Sequence, residues 1–299
     1  MLGISILKDY FSPMADKESI IVKAARMASQ ANAGADMDSV DSHGAEPVGE
    51  LGLGNGTLVP IQATTRDIMR MRDANFYTEE ELATRRIIYD SMEDSAVQSA
   101  FMNLRTNILR RCQNKGSVIL VTSVAYGGGA SFVAMNLAAA MAADETKTSL
   151  LVNCNMGKTG IIDELPELDA KGVSDFIDNP EISAHEIIHP SGIRRVRVAP
   201  AGTKRNSYRE FFTDKRWRKL IRELKHRYRD RYVIVDSPPL GQSATAETLQ
   251  DVADYVLIVV PYGRVSDRQL SAATRQIPPE KVLGVVMNDT PNIITDHQT

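Results

Sequence analysis

Cysteine is almost missing from this chain: Cys112 and Cys154 are the only two among 299 residues. Two distant thiols offer neither a disulfide framework nor metal-site spacing, and they suit a reducing compartment. Long hydrophobic runs are missing as well. No apolar stretch approaches the roughly 18 residues that a membrane-spanning helix needs. The opening MLGISILKDYF is too short and too interrupted to read as a secretory signal. A chain of this kind that works at a membrane is expected to be recruited there. Positive charge is missing from one stretch: between Met27 and Thr65 there is no lysine or arginine, while Asp36, Asp38, Asp41, Glu46 and Glu50 supply negative charge. The segment GELGLGNGT inside it has no helical or strand period, so residues 28–65 read as a flexible acidic linker. Its glycines at 52, 54 and 56 do not match the dinucleotide fingerprint, and no strand precedes them. The net charge of -3 makes no global case for nucleic acid.

What is present suffices for one sizeable α/β domain and something smaller. Residues 1–75 read as an extension, largely that linker, with a short amphipathic helix or a frayed end in the first 25 residues. Residues 76–299 read as the folded domain. Thr78 and Glu81 fit a capping box that opens a helix, and a second helix is expected over Asp94–Arg111. Candidate strands follow at 117–122, 148–153, 195–199, 231–236, 254–260 and 281–287, with helices beginning near Ser131, Ser207, Ala244 and Asp267. Near-continuous apolar strands such as VILV and YVLIVV are what a parallel sheet covered on both faces requires. Their alternation with helices predicts a doubly wound, mostly parallel α/β fold.

The most telling absence is a single lysine. Residues 118–136, VILVTSVAYGGGASFVAMN, read as strand, glycine turn and helix opening, where a Walker A phosphate loop belongs. Gly127, Gly128 and Gly129 can wrap phosphates with backbone N–H groups at a helix amino terminus. Ser131 occupies the metal-binding hydroxyl slot and Phe132 follows it, but the lysine slot holds Ala130. Lysine there reaches the β- and γ-phosphates. A charge-assisted hydrogen bond contributes roughly 1.5–3 kcal/mol, so its loss weakens binding about tenfold to a hundredfold. The catalytic loss should be larger, because charge develops in the transition state. Downstream, RYVIVDSPPLG places Asp236 at the end of a strand, the Walker B arrangement for acting on Mg²⁺ through water.

In order, TSVAYGGGAS, LLVNCNMGK, VIVDSPP and VLGVVMN resemble the motifs of the bacterial tyrosine kinases (BY-kinases) of exopolysaccharide and capsule synthesis, relatives of the Min/Par-type ATPases. AFMNLRTNIL at 100–109 looks like that family's helix before the first strand, so the resemblance spans about 95–290. It implies a P-loop NTPase fold, ATP or ADP with Mg²⁺, a homo-oligomer, and a membrane polysaccharide co-polymerase or chain-length protein as partner. It further implies a cytoplasmic protein brought to the inner membrane by that partner, with no nucleic acid. Asn288, closing VLGVVMN, matches the position that meets adenine in the family, with a strand-closing turn as the plain alternative. Lys158 lies where family members carry basic residues, although the GKT string at 157–159 is not a Walker A motif, since Val152 stands where its first glycine belongs.

Departures from the family pattern are as informative. The two aspartates of its Walker A′ motif, which manage Mg²⁺ and the attacking hydroxyl, are Asn153 and Asn155 here. Asparagine keeps the shape but cannot ionise, so it is a poor metal ligand and no general base. Of the family's Glu-x-x-Arg-x-x-Arg oligomerisation pattern only Arg105 survives, beside Ser99 and Met102, and no tyrosine follows Tyr262. The first expectation is therefore a pseudokinase acting as adaptor or regulator, its nucleotide and Mg²⁺ binding weakened or absent. A working tyrosine autokinase using Lys158, and a Min/Par-like localisation ATPase, are the alternatives.

Two other features stand out in the sequence. Residues 204–231 hold 12 lysines and arginines against Glu210, Asp214, Glu223 and Asp230. Trp217, Leu220, Ile221, Leu224 and Tyr228 recur there at helical spacing, predicting one inward face and a solvated basic one. His185 and His189 sit four apart with no third ligand, which favours a loop or short-helix role over a metal site.

Overall fold

The computed structural model describes residues 3–6, 76–92, 96–156, 160, 162, 164–165, 170–203, 212, 215–227, 231–275 and 277–290. The expected linker over 28–65, Lys158, Ser207 and Tyr228 lie outside the described residues.

Eight strands form one sheet: β1 (Gly3–Ile6), β2 (Val118–Ser123), β3 (Thr148–Asn153), β4 (His189–Pro190), β5 (Val196–Ala199), β6 (Arg231–Asp236), β7 (Tyr255–Pro261) and β8 (Val282–Thr290). The spatial order is β1-β8-β7-β2-β6-β3-β5-β4. The six inner strands run parallel, while β1 joins β8 and β4 joins β5 antiparallel. The helices among the described residues are α1 (Glu79–Thr84), α2 (Ala96–Arg111), α3 (Ala130–Ala142), α4 (Val173–Asp178), α5 (Lys215–Arg227), α6 (Ala244–Val252) and α7 (Asp267–Thr274).

The period of two along each strand explains why the central strands are apolar throughout. In β2, Val118 and Leu120 enter one core while Ile119 and Val121 enter the other. Val233 and Val235 of β6 face the first core, and Tyr232 and Ile234 the second. Helix α5 covers the first face with Trp217, Leu220, Ile221 and Leu224, and α2 and α3 cover the second. Nearly all of α3 is buried, and its alanines at 134, 138, 139, 140 and 142 let the helix lie close against the sheet. A buried helix of this kind needs no polar face.

Every predicted strand is present to within a few residues, and Thr78 and Glu81 make the expected capping box. The start of the chain departs from expectation. Gly3–Ile6 is a strand paired with β8 through Gly3↔Thr290, Ser5↔Met287 and Ile6↔Val286, not a helix. Edge pairing satisfies its backbone groups, which four residues of helix could not do for themselves.

Helix α5 presents Lys215, Arg218, Lys219 and Arg222 outward and buries its apolar stripe, as the spacing predicts. Arg216 and Lys225 of the same helix are structural. Arg216 lies over the Phe176 ring at 4.4 Å and donates to the Phe176, Asn179 and Ile182 carbonyls at the end of α4, while Lys225 pairs with Asp254 at 2.6 Å. His185 lies within the expected short helical turn, Ala184–Ile187, and His189 Nε2 lies 2.7 Å from the Lys171 carbonyl.

Candidate nucleotide site

Strand β2 ends at the centre of the sheet, and the chain turns there through Val124–Gly128 into α3. The turn depends on glycine. Gly127 and Gly129 adopt φ of 69° and 90°, the left-handed region that side chains disfavour. A Cβ on Gly128 would lie 1.8 Å from Ser123 Oγ. Gly129 caps α3 without a side-chain hydrogen bond, so the first N–H groups of the helix remain available to an anion.

Strand register assembles the other side. Asp236, ending β6, stands opposite Val121 of β2 and Asn153 of β3. Its Oδ2 accepts a hydrogen bond from Ser131 Oγ at 2.6 Å, and the residue is only 1% exposed. Asn153 is equally buried, and its Oδ1 accepts from the Asn155 N–H at 3.0 Å. Its amide oxygen thus orders the turn after β3. The Cys154 N–H donates to the Asp236 carbonyl at 2.9 Å. Burial, and then the Asp236 charge, push the Cys154 thiol well above its usual range, so it stays protonated.

Asn288 is buried beside the loop at the end of β8. Its Nδ2 donates to the Gly128 carbonyl at 3.1 Å, and a Cβ on Gly129 would meet that nitrogen at 2.0 Å. The side chain therefore holds the glycine turn directly, a role beyond the expected base contact. Phe132 packs edge-on against Phe101 at 6.1 Å. An open cavity of about 740 Å³ adjoins the loop, walled by Gly127, Gly129, Phe132, Met135, Asn288 and Asp289 on one side. Glu80, Glu81, Thr84, Arg85 and Arg86, from α1 and the turn after it, form the other side.

The expected residues thus converge: the glycine turn, Ala130, Ser131 and Phe132 from the β2–α3 junction, Asn153 ending β3 and Asn155 from the turn after it, Asp236 from β6 and Asn288 from β8. Three participants escaped sequence reasoning. Arg264 donates to the Gly127 carbonyl at 3.1 Å and pairs with Asp289 at 2.8 Å. Asn136, fully buried in α3, accepts from the Ile88 N–H at 2.8 Å and donates to the Arg86 carbonyl at 3.0 Å. A lone polar residue in the apolar run AMNLAAAM was a visible hint of such a duty. Arg86, the third, carried no signal. Arg105, the survivor of the oligomerisation pattern, is engaged within its own chain with Asp144 at 3.0 Å.

The glycine turn and free helix start fit nucleotide phosphates. Ser131 and Asp236 would hold Mg²⁺, which would neutralise phosphate charge when bound, with one carboxylate where the BY-kinase pattern has three acidic positions.

A phosphate loop after the central strand of a parallel sheet, with an aspartate ending the neighbouring strand, defines a P-loop NTPase. No protein-family model matches the chain. Among known proteins it is 25% identical over 218 residues to tyrosine-protein kinase CpsD of Streptococcus agalactiae, covering 69% of this chain and 88% of that protein. It is 27% identical over 187 residues to the succinoglycan biosynthesis transport protein ExoP of Rhizobium meliloti, covering 59% of this chain and 23% of ExoP. The kinase domain of Escherichia coli tyrosine kinase ETK superposes with a TM-score of 0.61 at 17% identity, covering 75% of this chain and 91% of that domain. The chain is thus similar in sequence to bacterial tyrosine-protein kinases and shares the P-loop NTPase fold of their kinase domains.

Proposed function

We propose that this protein is a pseudokinase of exopolysaccharide or capsule biosynthesis, one that binds nucleotide weakly and regulates a membrane polysaccharide co-polymerase without transferring phosphate. One observation carries the reading: Asn153 lies in register with Asp236 and has no charge to offer, in a site whose lysine is already Ala130. Losing one cation and two anions together removes what phosphoryl transfer needs, a charge clamp on the phosphates and a carboxylate base to take the hydroxyl proton. The glycine cradle and the Ser131–Asp236 pair support retained binding. Kinship with ExoP and the tyrosine kinases supports the pathway and the membrane partner. No helix among the described residues is long and apolar enough to cross a membrane, so recruitment by that partner to the cytoplasmic face is the corresponding localisation.

The test is reversion. Ala130→Lys with Asn153→Asp and Asn155→Asp should raise Mg²⁺·ATP affinity by tenfold or more if charge is what the pocket lacks. Unchanged affinity in a folded triple variant would rule out charge loss as the cause.

A further inference from the structure

The turn that leaves α1 carries an arginine where glycine is the norm. Ile87 N–H donates to the Leu82 carbonyl at 2.8 Å and Arg86 N–H to the Ala83 carbonyl at 3.0 Å. That pair is a Schellman stop, whose left-handed residue is usually glycine. Here it is Arg86, at φ 55°. A side chain in this region is strained, and the surroundings hold it there: fully buried Asn136 grips the Arg86 carbonyl and the Ile88 N–H from α3. Strained residues kept in place by their neighbours concentrate at binding and catalytic positions.

The place of the residue adds to this. Arg86 is exposed and lines the same 740 Å³ cavity as Gly127 and Gly129. Its neighbours are engaged: Arg85 lies 3.9 Å from Glu164 and over the Tyr77 ring at 4.6 Å, and Arg264 pairs with Asp289 at 2.8 Å. Among the described residues no carboxylate pairs with Arg86. A guanidinium fork at the rim of a glycine phosphate loop is suited to bidentate binding of phosphate oxygens.

We propose that Arg86 is the cation that binds the nucleotide's phosphate chain in this protein, taking over in the ground state what the lysine absent at Ala130 does elsewhere. This rests on the nucleotide-binding reading above. Ser131 and Asp236 are outside the cavity lining, so an arginine reaching in from the α1 side grips phosphate without serving the metal side. Binding then persists where transfer does not.

Glycine at this position separates strain from function. In Arg86→Gly the Schellman turn relaxes, and the melting temperature should rise by about 2–4 °C. ATP and ADP should bind about tenfold or more weakly, while adenosine affinity stays unchanged. Arg86→Lys, which keeps the charge, should retain part of the ATP affinity. If wild type binds ATP and Arg86→Gly binds it equally well, the arginine serves only the turn and the assignment is overturned, with nucleotide binding left standing. Failure of wild type to bind ATP at all overturns both.

Discussion

Substituting Asn153→Asp would restore one charge to the neutralised pocket, and its cost follows from strand register. Asn153 and Asp236 are paired positions on neighbouring parallel strands, and both side chains are at most 2% exposed. Paired positions on adjacent strands lie about 5 Å apart. At an effective dielectric constant of about 20, two unit negative charges at that distance repel by about 3 kcal/mol. Relaxation and water reduce this, so a loss of about 2–3 kcal/mol is expected, or about 4–12 °C in melting temperature for a domain of this size. Two signatures identify the cause. Mg²⁺ should recover part of the loss by bridging the carboxylates. Repulsion also raises the folded-state pKa of the pair, so the deficit is absent below the ordinary aspartate value of about 3.9 and grows as pH rises past it. Thermal unfolding of both proteins from acid to neutral pH, with and without Mg²⁺, reads all three. An unchanged melting temperature at neutral pH without Mg²⁺ would refute the idea that this pocket is a coupled electrostatic unit.

Other expectations address neighbouring parts of the molecule. Cys154, buried and held protonated by burial and by Asp236, should resist alkylation at neutral pH until the protein unfolds; rapid labelling of the native protein would contradict that environment. Arg105→Ala should cost about 1 kcal/mol or less, because the Arg105–Asp144 pair is partly exposed, and sedimentation should show no change in mass. A dissociated oligomer would instead mean that Arg105 works between subunits. Burial raises the Asp144 carboxyl, but hydrogen bonds from Thr146 and the Arg105 charge outweigh it and set it below the usual range. Stability from this group is therefore present above its unfolded pKa and is lost as pH falls through the lower folded value.

The parallel core was legible because its strands are apolar on both faces and flanked by helical periods. Ser131, Asp236 and Asn288 were legible because glycine turns and strand ends mark the edge of such a sheet. Strand β1 was not. Four residues carry no alternation to read, and their pairing with β8 depends on chain more than 270 residues away. Strand β4, at two residues, has the same difficulty. The wall that α1 adds to the cavity was hidden for another reason. The capping box at Thr78 announces the start of the helix, but nothing in ATRRII says that Arg86 replaces a glycine at its end. Arg105 illustrates a residue type that was recognised while its contact was not: Asp144, 39 positions away, takes the charge.

The central claim is that nucleotide binding outlives phosphoryl transfer here, and it is tested most directly on the wild-type chain. Purified protein is titrated with Mg²⁺·ATP by calorimetry, then incubated with it and analysed for phosphotyrosine by mass spectrometry. Weak binding with no phosphotyrosine is expected. Robust autophosphorylation, abolished by Asp236→Asn, would contradict it.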